Sequence, residues 1–588
     1  MVFMSNLHEL RKASSLNDVA KILNFRPKSL SYILYIKRKD SLYNSFDIPK
    51  RNGGTREISA PCKELKKLQT RLSELLLSCL AELHLAREEK AGKKIVSSIS
   101  HAFSKNKSII TNAACHRNRR YVFNADLENF FGEINFPRIR GFLIKNRDFQ
   151  LHPHAATVLA QIACWNDSLP QGAPCSPVIS NLVAHILDIR LAKLAKEHGC
   201  SYTRYADDLT FSTNKKNFPD AIAFASGDNE IWAVGKEFSN IISHSGFRFN
   251  HSKTRMQLDR SRQEVTGLVV NKKVSCRVEY RRNVRAMVYE LIKNGEYYRS
   301  IISKDGEGKI TVSKEIGTMN QLNGMLNFVD MINVFNRAKD DVQSVSPDHL
   351  KKNPKAVVEL NSNEKIYKRF IFYKRFFATN SPTILCEGKT DYIYLQCAIR
   401  GLVDRYPNLG VLNKKKAVDY KVNFFRFSSI TSRFFGLSGG SGQLRNFLEE
   451  YEKNFDSFKV NRFTSPVIIL IDSDSGAREI FGYLNKLKIV KDDKAPFYKI
   501  FKNLYIVATP LIVGLKNTMI ENFLDKAVTD RVVNGKTFSW SNHYEKDKSY
   551  NKNFLAEFIV KKEKSSIKFD GFIPLLDRIN AVIEDFEN

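Results

Sequence analysis

The stretch SYTRYADDLTFS, residues 201–212, sets two aspartates side by side between two short runs that alternate apolar and polar residues. Alternation with a period of two reads as strand, and the Ala206-Asp207-Asp208 tip reads as a hairpin turn. Adjacent carboxylates at such a tip repel each other. An aspartate in a turn can simply be solvated, so the pair acquires meaning from what else the chain carries. In YVFNADLENFFGEINF, residues 121–125 read as a buried strand with Asp126 at its C-terminal end. If the strands are neighbours, Asp126, Asp207 and Asp208 can together hold two divalent metals. Two metals roughly 4 Å apart clamp the attacking and leaving oxygens of a phosphoryl transfer. Their charge neutralises carboxylates that would otherwise repel.

The charge balance agrees. Residues 1–380 carry 61 Lys and Arg against 37 Asp and Glu, so most of the net charge of +31 sits in the first two thirds of the chain. That excess points to a polyanionic partner there. A chain of 588 residues that is 43% hydrophobic has room for several domains with sizeable cores. No apolar run is long enough to cross a bilayer and no signal-peptide pattern stands at the N-terminus, so no membrane partner is expected. The nine cysteines are scattered without a CxxC pair. This supports neither a zinc site nor a disulfide framework, and fits a reducing cytoplasm.

Along the chain, residues 46–61 read as a hairpin with a Gly-Gly turn and residues 63–85 as an amphipathic helix. Strand and helix signals alternate to about 275, and a basic helical region follows to about 340. The polar, proline-bearing stretch 339–355 is the best linker candidate. A basic-aromatic helix, KIYKRFIFYKRFF, comes next, and beyond it apolar strands alternate with helices as in a parallel sheet.

Between the two carboxylate elements lies SLPQGAPCSPVISNL. Gln171-Gly172 reads as a turn, and Ser176-Pro177 as a helix N-cap followed by a first-turn proline. In the order Asp126, Leu169-Pro170-Gln171-Gly172, Tyr205-Ala206-Asp207-Asp208, these segments resemble the palm of reverse transcriptases. The resemblance implies that Asp126 and Asp207 bind two Mg2+ ions, with Asp208 a third, more peripheral carboxylate. It implies that Phe131 is the aromatic gate against a ribose 2′-OH and that Gln171 contacts the nucleotide. Arg56 would hold the incoming triphosphate, for which a charge-assisted fork is suited, and Lys253 would sit near the leaving pyrophosphate. Two short motifs narrow the resemblance to retron reverse transcriptases, over about residues 10–340. NAACH carries Asn112 and His116 of an NAxxH signature, and Val265, Thr266 and Gly267 form a VTG signature. Both are expected to serve RNA recognition. The family copies part of a cognate structured RNA into a branched RNA–DNA hybrid, msDNA, using dNTPs and priming from the 2′-OH of an internal guanosine. The basic region beginning YRRNVRAMVYELIKNG would be its RNA-binding thumb.

A second acid set stands further on. In TILCEGKTD and VIILIDSDSG, residues 383–386 and 467–471 read as buried strands that end in Glu387 with Asp391, and in Asp472 with Asp474. In a parallel sheet such ends line one crevice, where acids suit Mg2+, an oxygen-seeking cation. A glutamate after one strand and DxD after another resemble the TOPRIM domain. Glu521 resembles a later acidic motif of its nuclease branch, and Glu387 would ligate metal or move a proton. Gly439-Gly440 reads as a tight turn before a helix. EGKTD lacks the glycine spacing of a phosphate loop.

The fold expected is an α+β right-hand polymerase with fingers, palm and helical thumb, followed by an α/β Rossmann-like TOPRIM domain. The boundaries are 1–275 for fingers and palm, 276–345 for the thumb, 346–380 for a linker with the basic-aromatic helix, and 381–588 for TOPRIM. A retron reverse transcriptase fused to TOPRIM is a known arrangement of the family. It implies a Mg2+-dependent nuclease effector in anti-phage defence, with one or two Mg2+ in TOPRIM, and is compatible with a homo-oligomer holding msDNA. The alternative is a TOPRIM fold that only binds or assembles. The nuclease target, the RNA sequence and the phage trigger are not readable.

Overall fold

In this computed structural model the described residues are 5–49, 54–93, 99–226, 231–304, 310–340, 359–460, 463–541, 544–545 and 547–588. They fall into two compact units. The first takes those up to Tyr280 with Lys304, Ile310 and 331–340; the second takes 281–303, 311–330 and those from 359 onward.

In the first unit an antiparallel sheet of four strands runs Ser201–Tyr205, Asp208–Thr213, Tyr121–Asp126, Arg255–Leu258. Val122 and Phe123 are both fully buried, so the Tyr121–Asp126 strand is covered on its two faces. Helices Lys63–Ala91, Phe136–Lys145, Pro153–Ala163 and Ser176–Glu197 contribute to one apolar core with it. The first of these buries Leu65, Leu68, Leu72, Leu75, Leu76 and Cys79, spaced by three and four, as the amphipathic reading requires. Strands Tyr43–Pro49 and Thr55–Pro61 form the expected hairpin, with Ile48 paired to Arg56. Residues 50–53 of its turn, and 341–358 of the proposed linker, lie outside the described residues.

Two readings change. The thumb is not continuously helical. Helix Val278–Asn294 stops at Gly295, whose φ of +83° ends it. Strands Tyr298–Lys304 and Ile310–Ile316 then form a two-stranded sheet before helix Met319–Asp340. The β-favouring run Tyr-Tyr-Arg-Ser-Ile-Ile decides this against the basic, helix-like surroundings. The expected basic-aromatic helix is present, but it belongs to the second unit rather than to a linker segment apart from it. Helix Ser362–Phe372 and the π-helical turn Tyr373–Phe377 bury Tyr367, Phe370, Phe372, Tyr373, Phe376 and Phe377 in the second unit. Tyr373 donates to the Leu291 carbonyl and Arg433 pairs with Asp330, so residues 281–303 and 311–330 pack with the C-terminal half.

The second unit centres on a five-stranded sheet, ordered Asn423–Phe424, Thr383–Cys386, Val467–Ile471, Leu504–Ala508, Tyr498–Phe501. The first four strands are parallel and the last is antiparallel. Every residue of Val467–Ile471 is buried, as a strand covered on both faces must be.

Candidate functional site

The register of the first sheet builds the acidic site. Asp126 pairs with Asp208, and Tyr205 also pairs with Asp208, so Ala206 and Asp207 alone turn the hairpin. Two-residue hairpin loops favour a positive φ at the first central position, and Ala206 has φ +57°. That backbone is unfavourable for a residue with a Cβ. The Asp207 carbonyl accepts from Leu127 N at 3.0 Å, which ties the tip to the end of the neighbouring strand. Among the described residues, Asp126, Asp207 and Asp208 form the group of three whose ligand atoms lie within 4.8 Å of one another. Asp126 is only 3% exposed. Burial and the Asp126 charge raise the Asp207 carboxyl above its usual range. Asp208 keeps an exposed edge, yet desolvation by the surrounding chain, then the Asp207 and Asp126 charges, push it up to about 7. Carboxylates so crowded, offering oxygen alone, fit a hard divalent cation such as Mg2+, whose charge would relieve their repulsion.

Cations frame these acids. Lys253 Nζ lies 2.9 Å from both carboxylate oxygens of Asp126. Partial burial of Lys253 works against its charge, yet the bond to Asp126 and the nearby acids raise its pKa. Arg56 is exposed on strand Thr55–Pro61, and its charge acts on Asp207. The same strand is fixed to the LPQG loop, for Ser59 N donates to the Gln171 carbonyl at 2.8 Å. Gly172 has φ +120°, and a Cβ there would stand 2.8 Å from the Ser59 carbonyl oxygen, so the close approach requires glycine. Ser176 does not cap its helix as the sequence suggests. Cys175 takes that position, while the Ser176 hydroxyl donates to the Pro170 carbonyl at 2.8 Å and braces the LPQG loop. Phe131 is half-buried, its ring edge-on to buried Phe130 with centroids 5.4 Å apart.

Two residues that sequence reasoning missed hold the hairpin from behind. Arg204 is fully buried and forms a two-pronged pair with Asp188 of helix Ser176–Glu197, Nε to Oδ1 at 2.8 Å and Nη2 to Oδ2 at 2.7 Å. Its Nη1 donates to the Ala206 carbonyl at 3.1 Å. No motif marked Arg204, whose neighbours read as ordinary strand.

The NAxxH and VTG segments meet each other. Helix Ile109–Ala114 carries Asn112, and its Ile109 carbonyl accepts from the Thr266 hydroxyl at 3.2 Å. His116 is fully buried, with Nδ1 2.7 Å from Ser212 Oγ and Nε2 2.7 Å from Thr203 Oγ1, and so bridges the two strands of the aspartate hairpin. Burial lowers its pKa to about 3. Asn112 and Val265 are buried too, and both polar atoms of the Asn112 side chain lack a partner. Thr266 is half-buried with φ +47°, and Gly267 is exposed with φ +78°. Of these five residues, the Thr266-Gly267 turn presents the most surface.

In the second unit the acids gather at the strand ends, in two groups. Asp391, Asp472 and Glu521 form one. Asp391 accepts from Gly388 N at 2.6 Å, and Asp472 from Ile520 N at 2.9 Å. Lys552 Nζ pairs with Glu521 Oε2 at 3.1 Å, while the other oxygen of this fully buried carboxylate has no partner. Burial, then the charge of Glu521, pushes Asp391 up to about 7, and burial with Asp391 and Glu521 raises Asp472 well above its ordinary value. Lys552 is a third residue without a sequence signal, since it reaches the acids from 31 positions beyond Glu521. Glu387 and Asp474 form the other group. A Cβ built on Gly476 would lie 3.0 Å from Asp474 Oδ1, 3.4 Å from Glu387 Oε1 and 3.4 Å from Ser441 Oγ. Glu387 Oε2 accepts from Asp472 N at 3.3 Å, which joins the groups. Glycine in EGKTD serves Asp391, whose carboxylate a Cβ at Gly388 would strike. Gly439 and Gly440 both have positive φ and open helix Ser441–Asp456, as the sequence suggests. The orphaned Glu521 oxygen and the crowded acids suit a divalent cation, although no three of these acids reach the 4.8 Å spacing of the first site.

Residues 48–278 match the family described as reverse transcriptase (RNA-dependent DNA polymerase). Retron enzymes are among the curated proteins to which the chain is similar. Retron Mx65 reverse transcriptase of Myxococcus xanthus is 36% identical over 266 residues, covering 42% of this chain and 56% of that protein. Retron Mx162 reverse transcriptase of Myxococcus xanthus is 33% identical over 282 residues, covering 45% and 54%. Retron Ec86 reverse transcriptase of Escherichia coli is 29% identical over 289 residues, covering 49% and 78%. The chain thus spans about half the length of the first two relatives. No helix among the described residues is long and apolar enough to cross a membrane.

Proposed function

We propose that the first unit is a retron-type RNA-directed DNA polymerase that copies a structured partner RNA into branched msDNA, primed from a guanosine 2′-OH. The convergence of Asp126, Asp207 and Asp208 within 4.8 Å carries this reading. The three carboxylates would hold two Mg2+ ions, whose chemistry is to activate the attacking hydroxyl and neutralise charge on the phosphates. The remaining work belongs to the chain. Lys253, already beside Asp126, stands ready to meet the negative charge of departing pyrophosphate. Arg56 reaches toward the triphosphate from a strand held against the LPQG loop, and Gln171 lines the nucleotide from that loop. The Phe131 ring crowds a ribose 2′-OH. Of the residues assigned to RNA recognition, Thr266 and Gly267 offer surface on a turn tied to the Ile109 carbonyl, while Asn112, His116 and Val265 lie buried behind it. The test is primer extension by purified protein on an RNA template with dNTPs and Mg2+. Asp207→Asn should cut extension by at least about 100-fold; a folded mutant extending at the wild-type rate contradicts the reading.

For the second unit we infer a TOPRIM-like, Mg2+-dependent nuclease that acts as the effector of an anti-phage system in a bacterial cytoplasm. Glu387, Asp391, Asp472, Asp474 and Glu521 are the metal ligands of this reading, with Glu387 alternatively the group that moves a proton. The orphaned Glu521 oxygen favours it. A non-catalytic assembly module is the second reading. It is favoured by the bonds that occupy Asp391, Asp472 and Glu521 on backbone N–H groups and Lys552.

A further inference from the structure

A charged side chain that is fully buried needs a complete set of partners. Arg204 has one. Nε and Nη2 form the fork on Asp188, Nη2 also donates to Asn181 Oδ1 at 3.3 Å, and Nη1 donates to the Ala206 carbonyl at 3.1 Å. The guanidinium carbon lies 5.8 Å from the centroid of the Phe130 ring. Asp188 is equally enclosed and also accepts from the Tyr202 hydroxyl at 3.1 Å. On both sides of the Arg204 side chain the backbone is held as well, for Arg204 N donates to the Ile99 carbonyl and its own carbonyl accepts from His101 N.

The bond to Ala206 stands apart from the rest. The other bonds fasten strand Ser201–Tyr205 to helix Ser176–Glu197 and to residues 99–101, which a stable fold would need regardless of chemistry. The Nη1 bond instead grips the carbonyl of the one tip residue in a left-handed backbone, immediately before Asp207. Alanine has no steric reason to stay at φ +57°. The peptide that follows Ala206 carries the nitrogen of Asp207, so its orientation sets where the Asp207 carboxylate points.

We infer that Arg204, locked by Asp188, is a positioning residue for the metal-binding carboxylate of Asp207: it holds the 206–207 peptide in the orientation that turns Asp207 toward Asp126. The inference rests on the polymerase reading of the first unit. Its consequence falls on metal binding rather than on the nucleotide pocket, because the LPQG loop and the Thr55–Pro61 strand do not hang on this bond. Arg204→Lys keeps the charge and loses the fork. The double variant Arg204→Met with Asp188→Leu removes both charges at once and leaves no unpaired ion in the core.

The experiment uses the full chain in primer extension on an RNA template, with Mg2+ titrated at saturating dNTP and dNTP titrated at saturating Mg2+. Thermal melting serves as the fold control. Each variant should raise the half-saturating Mg2+ concentration by about tenfold or more, in line with loss of an outer support of a metal site, with the dNTP KM within about twofold. Adding Ala206→Gly should recover much of the Mg2+ affinity, because glycine adopts a positive φ without a Cβ penalty. A purely structural Arg204 would give no such rescue. Folded variants with the wild-type Mg2+ curve, or variants that lose Mg2+ affinity and gain nothing from Ala206→Gly, overturn the inference. Failure of the polymerase reading looks different: the wild-type chain, or Asp207→Asn beside it, would already misbehave in the same assay.

Discussion

Phe131, after Asp126 in the chain, is half-buried, whereas His116, before it, is fully buried. The Phe131 ring is half-buried and braced by Phe130 and Phe103, with centroids 5.4 and 6.4 Å away. Removing it opens space without removing a polar contact. Phe131→Ala should therefore accept ribonucleotides, with the preference for dNTPs falling by roughly tenfold or more. Primer extension with each nucleotide set reads the ratio; retained dNTP extension with an unchanged ratio speaks against the gate. His116 is buried neutral, and its stabilising role depends on pH. Its folded pKa of about 3 lies below the ordinary 6.5. The unfolded chain therefore binds the proton first, and stability falls as pH drops below about 6.5 and continues falling toward 3. At pH 5 the loss relative to pH 8 is about 2 kcal/mol, from the linkage of the two pKa values. Urea unfolding of the wild type and of His116→Asn at both pH values measures it, and the mutant should lose that share of the pH dependence. Equal pH slopes would contradict the burial account.

At the scale of elements, the strands that end in acids were legible because each is a short apolar run that stops abruptly at a carboxylate, as Tyr121–Asp126 and Val467–Ile471 do. Position in the chain then carried the LPQG loop. What supports these elements was not legible. Arg204 sits in an alternating strand, and its partner Asp188 lies 16 residues away on a helix, so only the packed structure unites them. Lys552 reaches Glu521 across an equally silent separation. The thumb hairpin was hidden because basic residues obscure the β-favouring Tyr298–Lys304 run. The contact between the LPQG loop and strand Thr55–Pro61 offers a direct test of element packing. Gly172→Ala would place a Cβ 2.8 Å from the Ser59 carbonyl oxygen, at a φ that resists any side chain. The loop must shift, and the dNTP KM should rise by about tenfold with the Mg2+ dependence unchanged. An unaltered KM would mean that this contact does not shape the nucleotide pocket.

At the scale of the whole molecule, two acid sets occupy two units, each accompanied by a lysine, Lys253 at Asp126 and Lys552 at Glu521. Segments 281–303 and 311–330 share the second unit with the C-terminal sheet rather than forming a thumb unit of their own. If the sites are chemically separate, Glu387→Ala should leave msDNA yield near the wild-type level and remove phage protection, with both measured in one strain. Full protection by a Glu387→Ala strain that makes msDNA would favour the assembly module. The msDNA itself reports on the polymerase most directly. The chain is co-expressed with its partner RNA, and the extracted nucleic acid is resolved on a gel before and after ribonuclease treatment. The wild type should yield a branched species whose DNA part survives ribonuclease, and Asp126→Asn, equally soluble, should yield none. The same species from Asp126→Asn, or none from the wild type, would contradict a polymerase built on Asp126, Asp207 and Asp208.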